Sequence, residues 1–144
     1  MEEVEFHTGV ADRIGFACRL LRKAYRRGVR MRVTAPPEDL AALDRALWVF
    51  EEREFLPHVR MPGAPAPVAA RTPIWLSQQV GSEAGAPRVL LNLGAEPPQE
   101  MGALERLIEV VGNDPDEVER GRERWRAYKQ AGLQIRHHAA AAGD

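Results

Sequence analysis

The sequence predicts one α/β domain with helices on both sides of a mainly parallel sheet. Short apolar or alternating segments, typical of strands, alternate along the chain with segments of helical periodicity. Glycine and proline separate most of these segments. Such an alternation favours parallel strands joined by crossover helices. We therefore expect residues 1–144 to form a single three-layer domain with about five strands.

The first part of the chain contains two predicted strands around one helix. A strand at Val4–Thr8 ends at Gly9, and Asp12 then caps a helix that ends near Gly28. Met31–Thr34 is the second predicted strand, because two prolines follow it closely. The helix between them has an apolar stripe that predicts its buried face: Ile14, Ala17, Cys18, Leu21, Ala24 and Tyr25.

The middle of the chain is rich in proline. A second amphipathic helix is predicted over Glu38–Phe50, and the acidic run Glu51–Glu54 is expected to be its solvated end. Residues 57–73 contain five prolines and are therefore expected to be mostly loop. Ile74–Ser77 is a candidate strand, and Arg88–Leu93 is the clearest buried strand because it is short, apolar and bounded by breakers.

The last third is predicted to end in a helix and a strand. A brief helix is expected over Pro97–Leu104. Leu107–Val111 fits a helix or a strand, and its β-branched residues favour the strand. Asp114 can cap a final helix that runs to Gly132, and Leu133–His137 is the last predicted strand. Residues 139–144 are small and are expected to be frayed.

Composition excludes several classes of protein. No apolar run approaches the ~20 residues that span a bilayer, and the acidic N-terminus does not resemble a secretory signal. The single cysteine, Cys18, excludes an intrachain disulfide and a four-cysteine zinc site. The formal net charge of −1 argues against a protein that coats nucleic acid. These features predict a cytoplasmic protein without membrane contact.

Enzymatic signatures are absent from the sequence. The turn after the first strand has one glycine, Gly9, and neither of the glycine-rich patterns that bind phosphates. Cys18 lies in an apolar helical stripe, which predicts a buried, inert thiol. His137 and His138 are adjacent on a predicted strand, so they point to opposite faces and make a poor metal chelate. We therefore expect no catalytic site, no cofactor and no metal.

The segment RERWRAYKQAG, residues 122–132, combines two aromatic residues with four cations. At helical spacing Arg122, Trp125 and Lys129 share one stripe, whereas Trp125 and Tyr128 share the next. Trp125 thus lies where an apolar face meets a basic face. The alternative is that both aromatic side chains belong to the core and that the cations extend past them into solvent.

At this point the sequence resembles a known family, the chi subunits of bacterial DNA polymerase III. The segment RERWRAYKQAG is similar to the late helix of that family. LDRALWVFEEREFLPH, residues 43–58, is similar to its second signature, and the strand VLLNL and the final LQI follow in the family's order. The resemblance extends over essentially the whole chain.

The resemblance implies a Rossmann-like adaptor without nucleotide chemistry. Members of the family bind the acidic C-terminal tail of single-stranded DNA-binding protein, which ends in aspartate and phenylalanine. They also bind the psi subunit of the clamp loader or, in some bacteria, an XPD-like helicase. The family's tail-binding positions correspond here to Val111, Arg122, Trp125, Arg126 and Lys129, with Trp48 nearby.

Three of these positions differ from the family's usual residues. Trp125 stands where the family has a tyrosine, Arg126 where it has a lysine and Lys129 where it has an arginine. Aromatic or cationic character is kept at each, but a hydrogen bond from a tyrosine hydroxyl is lost. Phe55 resembles the phenylalanine that faces the second protein partner, and its alternative role is to fill the core.

Two other functions compete with the adaptor. The first predicted helix carries cations that could bind single-stranded nucleic acid directly, although the only aromatic residue interleaved with them, Tyr25, falls on the apolar stripe. The cations concerned are Arg19, Arg22, Lys23, Arg26 and Arg27. The missing phosphate-binding patterns make a nucleotide-dependent enzyme the weakest of the three.

Overall fold

A computed structural model describes residues 1–50, 55–81 and 83–140. Part of the predicted tail, 141–144, and the acidic run 51–54 lie outside these residues. The described chain forms four helices and seven strands: β1 (Glu3–Thr8), α1 (Arg13–Arg26), β2 (Met31–Thr34), α2 (Pro37–Val49), β3 (His58–Arg60), α3 (Ala66–Arg71), β4 (Ile74–Ser77), β5 (Val89–Asn92), β6 (Arg106–Val110), α4 (Pro115–Gln130) and β7 (Gln134–Ala139).

The strands form one sheet in the order β3-β4-β2-β5-β6-β1-β7, and every neighbouring pair is parallel. The predicted α/β class with a mainly parallel sheet is therefore confirmed. The first strand lies inside the sheet, between β6 and β7. None of the described helices is long and apolar enough to cross a bilayer.

Successive strand residues fill two separate cores on the two faces of the sheet. Leu91 and Ile108 pack with helices α1 and α2, whereas their neighbours Leu90 and Leu107 pack on the other side with Tyr128 of α4. This is the alternation that a pleated strand buried on both faces requires. The three layers are thus α1 and α2, the sheet, and α4.

Helix α1 shows how the sequence specifies an element. The carboxylate of Asp12 accepts a hydrogen bond from the Gly15 amide at 2.9 Å, which is the predicted N-cap. The predicted burial of Cys18 is confirmed, since its side chain is enclosed in the first core. Burial, with a smaller effect of nearby Asp12, raises the pKa of the Cys18 thiol to about 11.

Three predictions of local structure are wrong. The proline-rich segment contains β3 and α3, because Pro65 and Pro67 occupy the start of a helix, where a missing amide costs nothing. No helix forms over Pro97–Leu104, where one short turn places Leu104 in the core. The last strand continues to Ala139, and the Ala140 amide still bonds to the carbonyl of Thr8, so this start of the predicted tail is ordered into the sheet.

Candidate functional site

A cavity of about 470 Å³ opens between α4 and the carboxyl ends of β1 and β6. In parallel sheets this edge is where binding sites usually form. Its walls come from β1 and its following turn, from the residues after β6, from one face of α4, and from β7: Phe6, Thr8, Gly9, Val111, Gly112, Asn113, Val118, Gly121, Arg122, Trp125, Arg126 and His137.

The inner wall of the cavity is apolar and aromatic. The rings of Phe6 and Trp125 lie 5.0 Å apart between centroids, and Val111 is buried beside them. His137 meets Trp125 edge to face at 5.2 Å, and its Nε2 lies 2.6 Å from the Thr8 hydroxyl. Trp125 is only partly buried, whereas Tyr128 is fully buried. The position of Trp125 at the boundary between the apolar and basic faces is confirmed.

A glycine allows α4 to approach the end of β6 closely. A Cβ atom on Gly121 would lie 2.9 Å from Cγ2 of Val111, closer than such atoms pack. The valine side chain is stiff at χ1 and cannot easily turn away. Gly121 therefore brings α4 against Val111 and sets the width of the cavity.

Two predicted cations, Arg122 and Arg126, stand at the mouth of the cavity. Their side chains are 68% and 60% exposed. Both point toward Glu119, whose carboxylate oxygens lie 4.0 Å from Arg122 and 3.7 Å from Arg126. Exposed ion pairs at these distances are weak. Both guanidinium groups are therefore available to a ligand that carries carboxylates of its own.

A buried polar cluster fixes α4 to the sheet behind the cavity. Glu109 of β6 accepts hydrogen bonds from Arg124 at 2.9 Å, from Tyr128 at 2.5 Å and from Asn92 at 2.9 Å. Burial raises the pKa of the Glu109 carboxyl, and Arg124 acts against this rise. Three donors satisfy the carboxylate, which would otherwise be costly to bury. The cluster therefore holds the helix face that carries Trp125.

The structure does not bring all predicted tail-binding residues to this cavity. Lys129 is exposed one turn beyond Trp125 and does not line it. Trp48 is on α2 and packs against Phe55 and His58, beside β3, at the opposite edge of the sheet from β7. The grouping of Trp48 with the other five residues is therefore not supported by its position.

Trp48 and Phe55 form a second surface, which we call the aromatic surface. Their side chains are 61% and 55% exposed, and their rings lie 5.2 Å apart. The ring of His58 contacts both of them. His58 is itself held in place by hydrogen bonds from Nε2 to Asp44 and from Nδ1 to the carbonyl of Leu56, each at 2.8 Å. The alternative in which Phe55 fills the core is wrong.

Several residues that build this site were not predicted from the sequence to belong to it. Phe6 lies on a strand far from α4 in the chain and His137 on the strand that follows α4, and the order β6-β1-β7 brings them together. Arg124 was not singled out in the sequence, yet it is buried and forms an ion pair with Glu109 behind the cavity. The isolated glutamate in the apolar strand LIEVV was the available signal, because a buried carboxylate requires a cationic partner.

Among the described residues, one group of side chains could hold a metal ion. Glu5, His7 and His138 each offer a ligand atom, and these atoms lie within 4.8 Å of one another. Burial, with the neighbouring His138, lowers the pKa of His7. Burial alone would raise the pKa of Glu5, but hydrogen bonding to Arg106 and nearby charges lower it overall. Near neutral pH the group thus offers a carboxylate and an uncharged imidazole of His7.

Comparison of the sequence with known proteins identifies a matching family. The family model described as DNA polymerase III chi subunit, HolC, matches residues 1–136. The chain is 30% identical over 128 residues to DNA polymerase III subunit chi of Pseudomonas aeruginosa, strain PAO1. This alignment covers 88% of the chain and 85% of that relative.

Proposed function

The chain belongs to the chi subunit family of DNA polymerase III, and we propose that its cavity binds the acidic C-terminal tail of single-stranded DNA-binding protein. Family membership supports a replication accessory role. The observation that carries the finer proposal is the junction of an apolar wall at Trp125 with exposed cations at Arg122 and Arg126. A peptide that ends in aspartate and phenylalanine has the complementary chemistry.

The terminal phenyl ring of the tail occupies the cavity. Phe6, Val111 and Trp125 provide the apolar wall, and aromatic pairs gain from tilted or edge-to-face contacts such as those already present there. A volume of about 470 Å³ exceeds what one phenyl ring needs, so it leaves room for the backbone of the last residue. This wall is present without the peptide, which limits the entropy cost of binding.

The carboxylates of the tail bind at the mouth. The planar guanidinium of Arg122 can donate two parallel hydrogen bonds to the terminal carboxylate. Arg126 faces the preceding aspartate, and Lys129, one turn away, contributes through longer-range attraction. These contacts replace the weak interactions of both arginines with Glu119. Specificity for a free chain end follows from this combination.

The aromatic surface binds a second protein, which links the tail to the clamp loader. Trp48 and Phe55 are exposed together on the far edge of the sheet from the cavity. Aromatic residues held rigidly at a surface are typical binding hot spots. The partner class is a psi-type subunit or an XPD-like helicase. Two separate surfaces are what an adaptor without a catalytic site of its own requires.

A titration tests this function. The purified chain is titrated with an acidic peptide that ends in Asp-Phe, with the same peptide lacking its last residue, with a single-stranded oligonucleotide and with ATP. We expect saturable binding of the complete peptide only, with affinity that falls as salt rises. Tight oligonucleotide binding would favour direct nucleic-acid recognition by the basic helix α1. Binding of ATP, or equal binding of the shortened peptide, would contradict the proposal.

A further inference from the structure

We propose that Glu5, His7 and His138 form a binding site for a divalent first-row transition-metal ion such as Zn²⁺. Two imidazoles and one carboxylate are a ligand set that zinc commonly uses. The three ligand atoms already lie within 4.8 Å of one another without any ion. This site is separate from the tail-binding proposal and does not depend on it.

The sheet itself assembles these ligands. Glu5 and His7 are two residues apart on β1, so their side chains leave the same face of the sheet. β1 and β7 pair in parallel with His7 opposite His138, and the two imidazole rings are stacked 4.7 Å apart. His137 points to the other face, where it contacts Trp125. The two adjacent histidines therefore serve different sites, one on each face.

Metal binding requires a local rearrangement of one ring. Ligand atoms around a tetrahedral zinc ion are about 3.3 Å apart, as follows from Zn–N bonds of about 2.0 Å. The stacked rings are nearly parallel, at 14°, so their lone pairs do not yet converge on one point. His7 is partly buried against Phe16, whereas His138 is exposed. His138 is the ring that turns, and this movement leaves the core unchanged.

Arg106 competes with the ion for Glu5. Its guanidinium donates two hydrogen bonds to the two carboxylate oxygens of Glu5, at 2.7 and 3.0 Å. The Arg106 side chain is 52% exposed, whereas that of Glu5 is only 16% exposed, and such a bidentate pair is stronger than an ordinary surface ion pair. An ion that coordinates Glu5 must therefore compete with Arg106. Removal of the Arg106 charge should strengthen metal binding, an effect that a histidine pair acting alone would not show.

The experiment uses the full chain without a polyhistidine tag. Zn²⁺ binding is measured by titration calorimetry and Co²⁺ binding by visible absorption, for the native chain and the His138→Asn, His137→Asn and Arg106→Gln variants. We expect one ion per native chain, with binding lost in His138→Asn, kept in His137→Asn and several-fold tighter in Arg106→Gln. Thermal unfolding of the native chain and of His137→Asn should shift upward with Zn²⁺, and that of His138→Asn should not.

Three outcomes would overturn the proposal. The first is the absence of binding to the native chain at concentrations where free imidazole pairs bind zinc. The second is an equal loss in His137→Asn and His138→Asn, which would indicate adventitious binding by the surface pair. The third is an unchanged affinity in Arg106→Gln, which would exclude Glu5 as a ligand. All three positions substituted here are exposed, so folding of the variants is expected to be intact.

Discussion

The hydroxyl of Tyr128 donates a hydrogen bond of 2.5 Å to Oε2 of Glu109, and both side chains are buried. Tyr128→Phe removes one of the two donors to this buried oxygen and leaves it the hydrogen bond from Asn92. We expect the free energy of unfolding to fall by about 1–3 kcal/mol, measured by urea denaturation. The same deletion at Tyr25, a partly buried ring on α1, is the control. Equal losses at the two tyrosines would show that Glu109 gains nothing specific from Tyr128.

Arg122→Ala should weaken binding of the tail peptide by about 1.5–3 kcal/mol, because a carboxylate loses a charged hydrogen-bond partner. C-terminal amidation of the peptide should have a similar effect, and the two changes together should be less than additive because they remove one contact. Binding isotherms of the four combinations measure the coupling. Arg120→Ala, an exposed arginine of α4 outside the cavity, is the control. Strict additivity would mean that Arg122 does not bind the terminal carboxylate.

Glu119→Gln should strengthen tail binding by about 0.5–1 kcal/mol. The substitution frees Arg122 and Arg126 from a weak competitor and removes repulsion between Glu119 and the acidic peptide. The gain should shrink as salt is added, since all three side chains are exposed. Glu123→Gln, on the same helix but outside this cavity, makes the same change in net charge and should have a smaller effect. The comparison separates a local effect from one of total charge.

Phe55→Ala and Trp48→Ala should abolish binding of a psi-type or helicase partner while costing less than about 1 kcal/mol of stability. Both rings are more than half exposed, so their truncation leaves no cavity. Phe6→Ala truncates a buried ring and should lower the free energy of unfolding by about 3–5 kcal/mol. It is the reference for the loss of a core aromatic side chain. Thermal melts with co-purification of a co-expressed partner measure the two effects. If Phe55→Ala lowers thermal stability as much as Phe6→Ala does, Phe55 is part of the core and not of the interface.

Cys18 should not react with a thiol reagent at pH 8 while the chain is folded. Its pKa of about 11 leaves almost no thiolate at that pH, and its side chain is enclosed. Reactivity should appear on unfolding in denaturant and should rise in the folded state only as the pH approaches 11. Absorbance of the released reagent anion follows the reaction. Rapid modification of the folded chain at pH 8 would contradict the burial of this thiol.

The strands of the sheet were largely predictable because they are short apolar runs bounded by breakers. The exceptions have a common cause. β3 has three residues at an edge of the sheet and gains its structure from β4, so its own sequence carries little signal. Helix α3 begins at prolines, and because proline is common both in loops and at helix starts, it did not distinguish the two. For both β3 and α3, the local sequence alone did not specify the structure that the folded chain adopts.

Only those residues of the cavity that lie on α4 could be predicted from the sequence. Arg122, Trp125 and Arg126 share a face of α4 because helical spacing fixes it. Phe6 and His137 join them through strand order, which local spacing does not encode. Trp48 was grouped with them by resemblance alone, and its position on α2 places it with Phe55. The pairing of His7 with His138 was missed for the same reason as Phe6.

The position of β1 inside the sheet has a consequence for biosynthesis. β1 leaves the ribosome well before its neighbours, β6 and β7, which span residues 106–139. Val4 and Phe6, which are buried in the finished protein, therefore remain without strand partners until β6 and β7 have been synthesised. Such late, non-local pairing slows folding and exposes apolar surface. The sheet is completed only after β7 has been synthesised.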